Sequence, residues 1–473
     1  MKPTRKMIRL FMLALSVLVA FTTITYVTMV QTNARRWLNN AQNTRLQEAR
    51  KTTRQGSIYD SAMVKLAWSD SAGQRSYVAD DKLRLALSHT IGDQKGMSET
   101  GVENRHATTL LGLSDMTGTD KALQRLMGDA PAGYDVVLTV SGEMCAYLSD
   151  LFPQNSRGAA VILNYKTGAI LAKVSLPAFD PAYIGAWVED TAYYDRTLQY
   201  RYAPGSAFKI VTLASALENL PRITEKTFDC DSFWTFAGST IRCAGNKAHG
   251  SLNLGAAFSQ SCNTTFAKIA YELGASKLRA TSEAFAFNDN FLFEDIVLYP
   301  SHCLSASQSV SEVIQSGFGQ GMTEASVMHM AMIAGSVAND GLMMEPKLIK
   351  EVRRPNGNAL QTLAPRVYRR ALSSENARTV ASYMYKVVNT SSGTGTRARI
   401  EGYQGYVCGK TGSAEVSNDK QTETNAWYVG FLYNDEAHPY AIAVLVENGG
   451  SGGATAAPIA SKALKRAMEL GLY

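Results

Sequence analysis

The segment Ala203-Pro-Gly-Ser-Ala-Phe-Lys209 decides how this chain is read. It sets Ser206 three residues before Lys209, at the mouth of the apolar run Phe208-Lys-Ile-Val-Thr-Leu-Ala-Ser-Ala-Leu217. Such a run is long enough for a buried helix, and Pro-Gly ahead of it marks a start. On a helix, positions i and i+3 share a face, so Lys209 sits beside the Ser206 hydroxyl. A serine hydroxyl is a weak nucleophile until a base takes its proton. A lysine serves as that base if burial or a second cation lowers its pKa. The helix N-terminus adds positive potential at the nucleophile. Two more motifs follow in order, Ser261-Cys262-Asn263 and Lys410-Thr411-Gly412.

Each motif alone is weak, because each has a second copy. Ser417-Asn-Asp-Lys420 repeats the first, Ser374-Glu-Asn376 the second and Lys166-Thr-Gly168 the third. Context separates them. Ser417 lies in a polar stretch that reads as a loop. Ser374 lies in Leu372-Ser-Ser-Glu-Asn-Ala-Arg, where the serines read as a helix N-cap with an early acid. Lys166-Thr-Gly168 joins two apolar runs and reads as a hairpin turn. Lys410-Thr-Gly412 lies between Tyr406-Val-Cys408 and Ser413-Ala-Glu-Val416, a strand that presents Lys410, Thr411 and Ser413.

With the motifs in this order, the chain resembles a class B penicillin-binding protein, a membrane-anchored D,D-transpeptidase. Further segments carry the likeness. Arg54-Gln-Gly-Ser-Ile-Tyr-Asp60 with Leu66-Ala67 is similar to the family's segment near the membrane. Gly158-Ala-Ala-Val-Ile-Leu-Asn-Tyr-Lys-Thr-Gly-Ala-Ile-Leu-Ala172 resembles the opening of its transpeptidase domain. Asp195-Arg-Thr-Leu-Gln199, Gly319-Gln-Gly321 and Ala426-Trp-Tyr-Val-Gly-Phe431 match later family segments. The likeness implies an α+β penicillin-recognising fold, with a mainly antiparallel sheet, flanking helices and an all-helical lobe. Strands are expected at 159–164, 169–175, 405–416, 425–433 and 439–447. Helices are expected at 206–219, 263–273, 324–338, 374–388 and 455–470. The glycine run Gly449-Gly-Ser-Gly-Gly453 reads as a flexible turn, and no Lys-Ser/Thr follows to make it a phosphate loop.

The resemblance also implies roles. Ser206 is the nucleophile toward a D-Ala-D-Ala stem peptide, and Lys209 its general base. Ser261 relays a proton to the leaving amine, and Asn263 bonds the substrate and orients Lys209. Lys410 supplies the positive potential that favours neutral Lys209. Thr411, Gly412 and Ser413 line the place of the substrate carboxylate, and the Ser206 and Ser413 backbone N–H groups form the oxyanion hole. Expected ligands are peptidoglycan stem peptides, as donor and amine acceptor, and β-lactams. A polytopic glycosyltransferase is the partner the family implies.

The N-terminus bears on location. Leu10 to Val30 is 21 residues without a charge, about 31 Å as a helix and enough for a bilayer. Lys2, Arg5, Lys6 and Arg9 precede it, which predicts a cytoplasmic N-terminus and an extracytoplasmic body on the cell membrane. A cleaved signal peptide is the rival. The expected layout is a cytoplasmic tail over 1–9, a transmembrane helix over 10–30, a stalk over 31–53, a pedestal domain over 54–155 and a transpeptidase domain over 156–473. The net charge of +6 belongs to the anchor: residues 1–47 carry seven Lys/Arg and no acid, leaving 40 basic against 41 acidic residues beyond. No nucleic-acid partner is expected.

The six cysteines, at 145, 230, 243, 262, 303 and 408, show no Cys-x-x-Cys spacing, and the six histidines no cluster with them. No metal site and no cofactor are therefore expected. Cys230 and Cys243 are the most plausible disulfide pair, with free thiols as the alternative. Three functional readings share the trio: transpeptidase, D,D-carboxypeptidase and β-lactamase. The last needs a glutamate-held water in one class, and no matching segment follows Asn263. The 149 residues from Ser261 to Lys410 are also many for such compact enzymes. A non-catalytic penicillin sensor or divisome scaffold is the reading from another class.

Overall fold

A computed structural model describes residues 5–39, 43–113, 132–185, 189–236, 239–305, 308–362, 364–403, 405–415 and 424–473. At its centre lies a five-stranded antiparallel sheet. In spatial order its strands are Tyr406–Glu415, Thr424–Tyr433, Tyr440–Val446, Gly158–Asn164 and Ile170–Leu176. Every residue of Gly158–Asn164 and Tyr440–Val446 is buried. Alternate side chains leave opposite faces of a strand, so both faces must be covered. The helix Val327–Ala338, mostly apolar and wholly buried, brings Gly335 against Ala441 on one face. The helix Ala456–Glu469 lies on the other, where the adjacent Tyr440 hydroxyl donates to the carbonyls of Leu472 (2.6 Å) and Ala467 (3.4 Å). Lys166-Thr-Gly168 is the turn between the first two strands in chain order, as its sequence context predicts.

The helical lobe stands beside the sheet. It contains Lys209–Asn219, Leu254–Ser259, Asn263–Ala284 and Ser374–Asn389. Ser373 caps the last of these, accepting from Asn376 N, so the Ser374 copy of the second motif is structural. One boundary agrees with the sequence reading and one differs. The helix predicted over 263–273 ends at Gly274, whose φ of 71° breaks the ladder, and a further helical stretch follows to Ala284. Ser206 is not in the α-helix but in a 3-10 turn, Gly205–Phe208, that leads into it.

A second, six-stranded sheet lies toward the N-terminus. Its order is Ala359–Thr362, Ile349–Arg353, Asp135–Leu138, Ile58–Tyr59, Lys65–Ser69 and Arg75–Tyr77. Two of its strands therefore come from residues 349–362, which the sequence reading places in the transpeptidase region. The chain crosses back because Val136 and Val137, buried strand residues, pair with Val352 and Glu351.

A single helix, Arg5–Leu38, leads the chain, and its 5–30 stretch has the length and composition to cross a membrane. Its side chains there are exposed. The next helix, Thr44–Thr52, is tied to the body: Leu46 packs on Ala107 and Leu111, and Arg50 bonds the carbonyls of Gln94 and Glu103. Arg50 is thus held by the protein.

Candidate active site

Three segments far apart in sequence meet at one edge of the central sheet. Gly205, at φ +52°, turns the chain so that its Cα faces the backbone of Ser413; a Cβ there would stand 3.0 Å from the Ser413 carbonyl oxygen. Gly412 lies as close to the same turn, with the Pro204 oxygen 2.7 Å from the place of a side chain. Both contacts need glycine. Beneath them Gly319 accepts a bond from Gly205 N at 3.0 Å, which seats the Gly319-Gln-Gly321 segment under the nucleophile turn. Trp427 Nε1 donates to the Ala203 carbonyl at 3.0 Å and holds the same turn to the next strand.

Ser206 is partly exposed, and Lys209, one turn on, is fully buried. The Lys209 ammonium donates to the Ser261 carbonyl (2.7 Å), to Ser261 Oγ (3.2 Å) and to Asn263 Oδ1 (2.7 Å). Lys410, also fully buried, reaches the same hydroxyl from the strand side, at 2.9 Å, and the Thr411 carbonyl at 3.0 Å. Ser261 Oγ therefore lies between two lysines. Ser261 has φ +59°, a left-handed conformation that turns it away from the following helix. Asn263 anchors its amide by donating to the Arg242 carbonyl at 2.9 Å.

Burial sets the electrostatics. It pushes Lys209 down to about 7. It also holds Lys410 well below the ordinary lysine range, with repulsion from Lys209 adding to the effect. Two buried ammonium groups around one hydroxyl disfavour the doubly charged state. The sequence predicts a charged Lys410 beside a neutral Lys209; in the structure burial lowers both lysines, and Lys209 lowers Lys410 further.

The carboxylate-side residues lie on the outer strand. Thr411 is buried and its hydroxyl bonds that of Thr394 at 2.6 Å. Ser413 is exposed, and its hydroxyl accepts from Gly452 N at 3.3 Å. Thr394 and Gly452 were missed from sequence. Gly452 belongs to the glycine run read as a flexible turn, yet it is buried against Trp427 and Gly412. The Ser417–Lys420 copy of the first motif lies outside the described residues.

All six cysteines are free and buried. The sequence reading found no histidine clustered with cysteine. The structure corrects it: His249 Nδ1 lies 3.2 Å from Cys230 Sγ, and Cys230, Cys243, His249 and Cys262 form one group. The four side chains are spread over 33 positions and converge only in the fold, where the strand after His249 pairs with the strand that ends at Cys230.

Comparison with known proteins gives the family. Residues 158–465 match the penicillin-binding protein transpeptidase domain. The chain is 29% identical over 411 residues to the peptidoglycan D,D-transpeptidase PbpA of Mycolicibacterium smegmatis, covering 80% of this chain and 81% of that one. It is 29% identical over 437 residues to stage V sporulation protein D of Bacillus subtilis, covering 84% and 65%. Among solved structures, the ceftriaxone acyl-enzyme of penicillin-binding protein A from M. tuberculosis superposes with a TM-score of 0.78 at 26% identity, over 89% of this chain and 99% of that one. The D,D-transpeptidase domain of a peptidoglycan glycosyltransferase from Eggerthella lenta gives 0.77 at 30%, with 89% and 99% covered. The chain belongs to the penicillin-binding protein transpeptidase family, as a class B member.

Proposed function

We propose that the chain crosslinks peptidoglycan as a serine D,D-transpeptidase and that Ser206 is the residue acylated. Ser206 Oγ attacks the carbonyl between the two terminal D-alanines, and neutral Lys209 takes its proton. Ser261 passes a proton to the departing D-alanine amine, and an acyl-enzyme remains. The amine of a neighbouring stem then attacks the ester and releases Ser206. Asn263 holds Lys209 and the donor's backbone. Lys410, Thr411 and Ser413 receive the terminal carboxylate, with Gly412 letting the strand approach the nucleophile turn. The Ser206 and Ser413 N–H groups hold the oxyanion, a contribution of about 3 kcal/mol per donor in comparable sites. β-Lactams enter by the same route and stay.

The observation that carries this reading is Ser261 Oγ between Lys209 and Lys410, 3.2 and 2.9 Å away, with Lys209 three residues after Ser206 in the chain. Two buried lysines around a serine are costly for stability and useful for proton transfer. Intact mass after incubation with penicillin tests it. The wild type should gain one adduct, Ser206→Ala none, and Ser417→Ala the same adduct as wild type. Labelling of Ser206→Ala would move the nucleophile elsewhere. A stem-peptide substrate then distinguishes the fates of the acyl group: crosslinked dimer for the transpeptidase, trimmed monomer for a carboxypeptidase.

The same reading puts residues 10–30 of the Arg5–Leu38 helix across the membrane with the N-terminus cytoplasmic, as Arg5, Lys6 and Arg9 favour. The N-terminal sheet then forms the pedestal, and a polytopic glycosyltransferase contacts it and the membrane helix.

A further inference from the structure

Next to the Ser261-Cys262-Asn263 segment, three thiols and an imidazole converge from four backbone elements. Cys230 ends the strand Thr227–Cys230, and Cys243 follows the strand Ser239–Arg242. His249 precedes the strand Gly250–Asn253, and Cys262 is the N-cap of the helix Asn263–Ala284. Main-chain bonds fix the frame: His249 N donates to the Cys230 carbonyl at 3.1 Å, and Cys243 N to the Ser232 carbonyl at 2.8 Å. Cys230 Sγ lies 3.6 Å from Cys243 Sγ and 3.2 Å from His249 Nδ1, and Cys243 Sγ lies 3.8 Å from Cys262 Sγ. All four donor atoms are within 4.8 Å of one another. The sulfurs are buried, and the imidazole is partly exposed. A tetrahedral zinc with metal–sulfur bonds near 2.3 Å and a metal–nitrogen bond near 2.0 Å sets its ligands about 3.5–3.8 Å apart. Neighbouring donors here stand at 3.2–3.8 Å. Core cysteines that merely fill space have no need of an imidazole nitrogen in their midst.

We propose that Cys230, Cys243, His249 and Cys262 bind one zinc ion in a closed Cys3His site. Soft thiolates with one imidazole in tetrahedral array select zinc over calcium, magnesium or manganese. The three thiols give their protons to solvent as the metal enters. With four protein ligands the ion has no open position, so it is structural rather than a reagent. Its effect reaches the chemistry through position. Cys262 stands between Ser261 and Asn263, and Cys243 directly follows Arg242, whose carbonyl holds the Asn263 amide. The ion ties both ends of that contact together and offsets the left-handed backbone of Ser261, a conformation costly for a residue other than glycine. This positioning effect rests on the proposed roles of Ser261 and Asn263; metal binding itself does not.

Elemental analysis of the purified full chain in detergent, under reducing conditions, tests the binding. The expected result is one zinc per chain, lost in His249→Ala and in Cys230→Ser. Cobalt in its place should give intense tetrahedral d–d absorption and sulfur-to-cobalt charge transfer. The cobalt spectrum is read on the wild type, so misfolding of either variant leaves the test intact. A metal-free chain whose three thiols alkylate without denaturant overturns the proposal, as does a Cys230–Cys243 disulfide in the peptide map. Removing zinc with a strong chelator should slow acylation by a fluorescent penicillin about tenfold, and added zinc should restore it. Unchanged acylation after removal overturns the positioning effect. Metal content is read without substrate, so its failure leaves the transpeptidase reading untouched, while loss of the penicillin adduct in the zinc-loaded wild type would undo that reading alone.

Discussion

Lys209 carries the sharpest pH argument. Burial pushes its ammonium down to about 7, and only the neutral amine accepts the Ser206 proton. Below that value the protonated fraction grows, so acylation slows as pH falls. Above it the rate levels off. The rate of acylation by a fluorescent penicillin should therefore rise about tenfold per pH unit below the Lys209 pKa and flatten above it. A rate flat from pH 5 to 8 would deny Lys209 the role of base. Thr394 offers a second test. Its hydroxyl is a 2.6 Å partner of the Thr411 hydroxyl, so Thr394→Val leaves Thr411 free to rotate off the carboxylate. A lost bond of this kind is worth about 1 kcal/mol, roughly fivefold. The loss should fall on kcat/KM for stem peptide, with the melting temperature nearly unchanged. An unaltered kcat/KM would show that Thr411 needs no such support. Ser206, Lys209 and Lys410 were legible in the sequence because local pattern marks them: a helix start, an i+3 spacing, a strand. Thr394 was not, since a threonine after Ser391-Ser-Gly393 looks like any turn and gains meaning only where the chain folds back on Thr411.

At the scale of elements, the sheet was the easiest part to foresee. Gly158–Asn164 and Tyr440–Val446 are unbroken apolar runs, and such runs belong to strands covered on both faces. The N-terminal sheet was harder. Ile58–Tyr59 has two residues and Ala359–Thr362 is mostly exposed, so neither has a periodicity to read. The Gly449–Gly453 run shows a different limit: composition alone reads as flexibility. In the fold, a Cβ on Gly452 would stand 2.2 Å from the Trp427 oxygen and 2.3 Å from the Gly412 oxygen. Both are backbone atoms of the paired strands that carry the third motif, so neither can move alone. Gly452→Ala should cost about 1–3 kcal/mol in thermal or denaturant unfolding, the usual range for overpacking. It should also slow acylation, because the strand bearing Lys410 and Ser413 must shift. Wild-type stability and acylation together would mean that this loop is free to move aside.

For the molecule as a whole, the question is what holds the N-terminal sheet to the transpeptidase region. Arg84 forms a two-pronged pair with Asp180, at 2.9 and 2.8 Å. Asp295 makes the more informative joint. One of its oxygens accepts from both Leu348 N and Ile349 N at 3.0 Å, where the chain enters the N-terminal sheet, and its carbonyl bonds His106 Nε2 at 3.0 Å. The side chain is buried, and burial raises its pKa from 3.8 to about 6 in spite of those two amide bonds. The sign of the consequence follows from proton counting. Between pH 4 and 6 the folded carboxyl keeps a proton that the unfolded chain has lost, so the folded state binds more protons and stability falls as pH rises through this window. The penalty at pH 7 is on the order of 3 kcal/mol for a difference of about two pH units. Asn keeps an oxygen that can accept from both amides and carries no charge. Asp295→Asn should therefore be more stable than wild type at pH 7 and equal to it near pH 4. Its unfolding free energy, followed by denaturant titration across that range, should lack the wild-type decline. A variant as pH-dependent as the wild type would mean that Asp295 is charged at no cost, and that the joint between the two regions rests on Arg84–Asp180 and the shared strands.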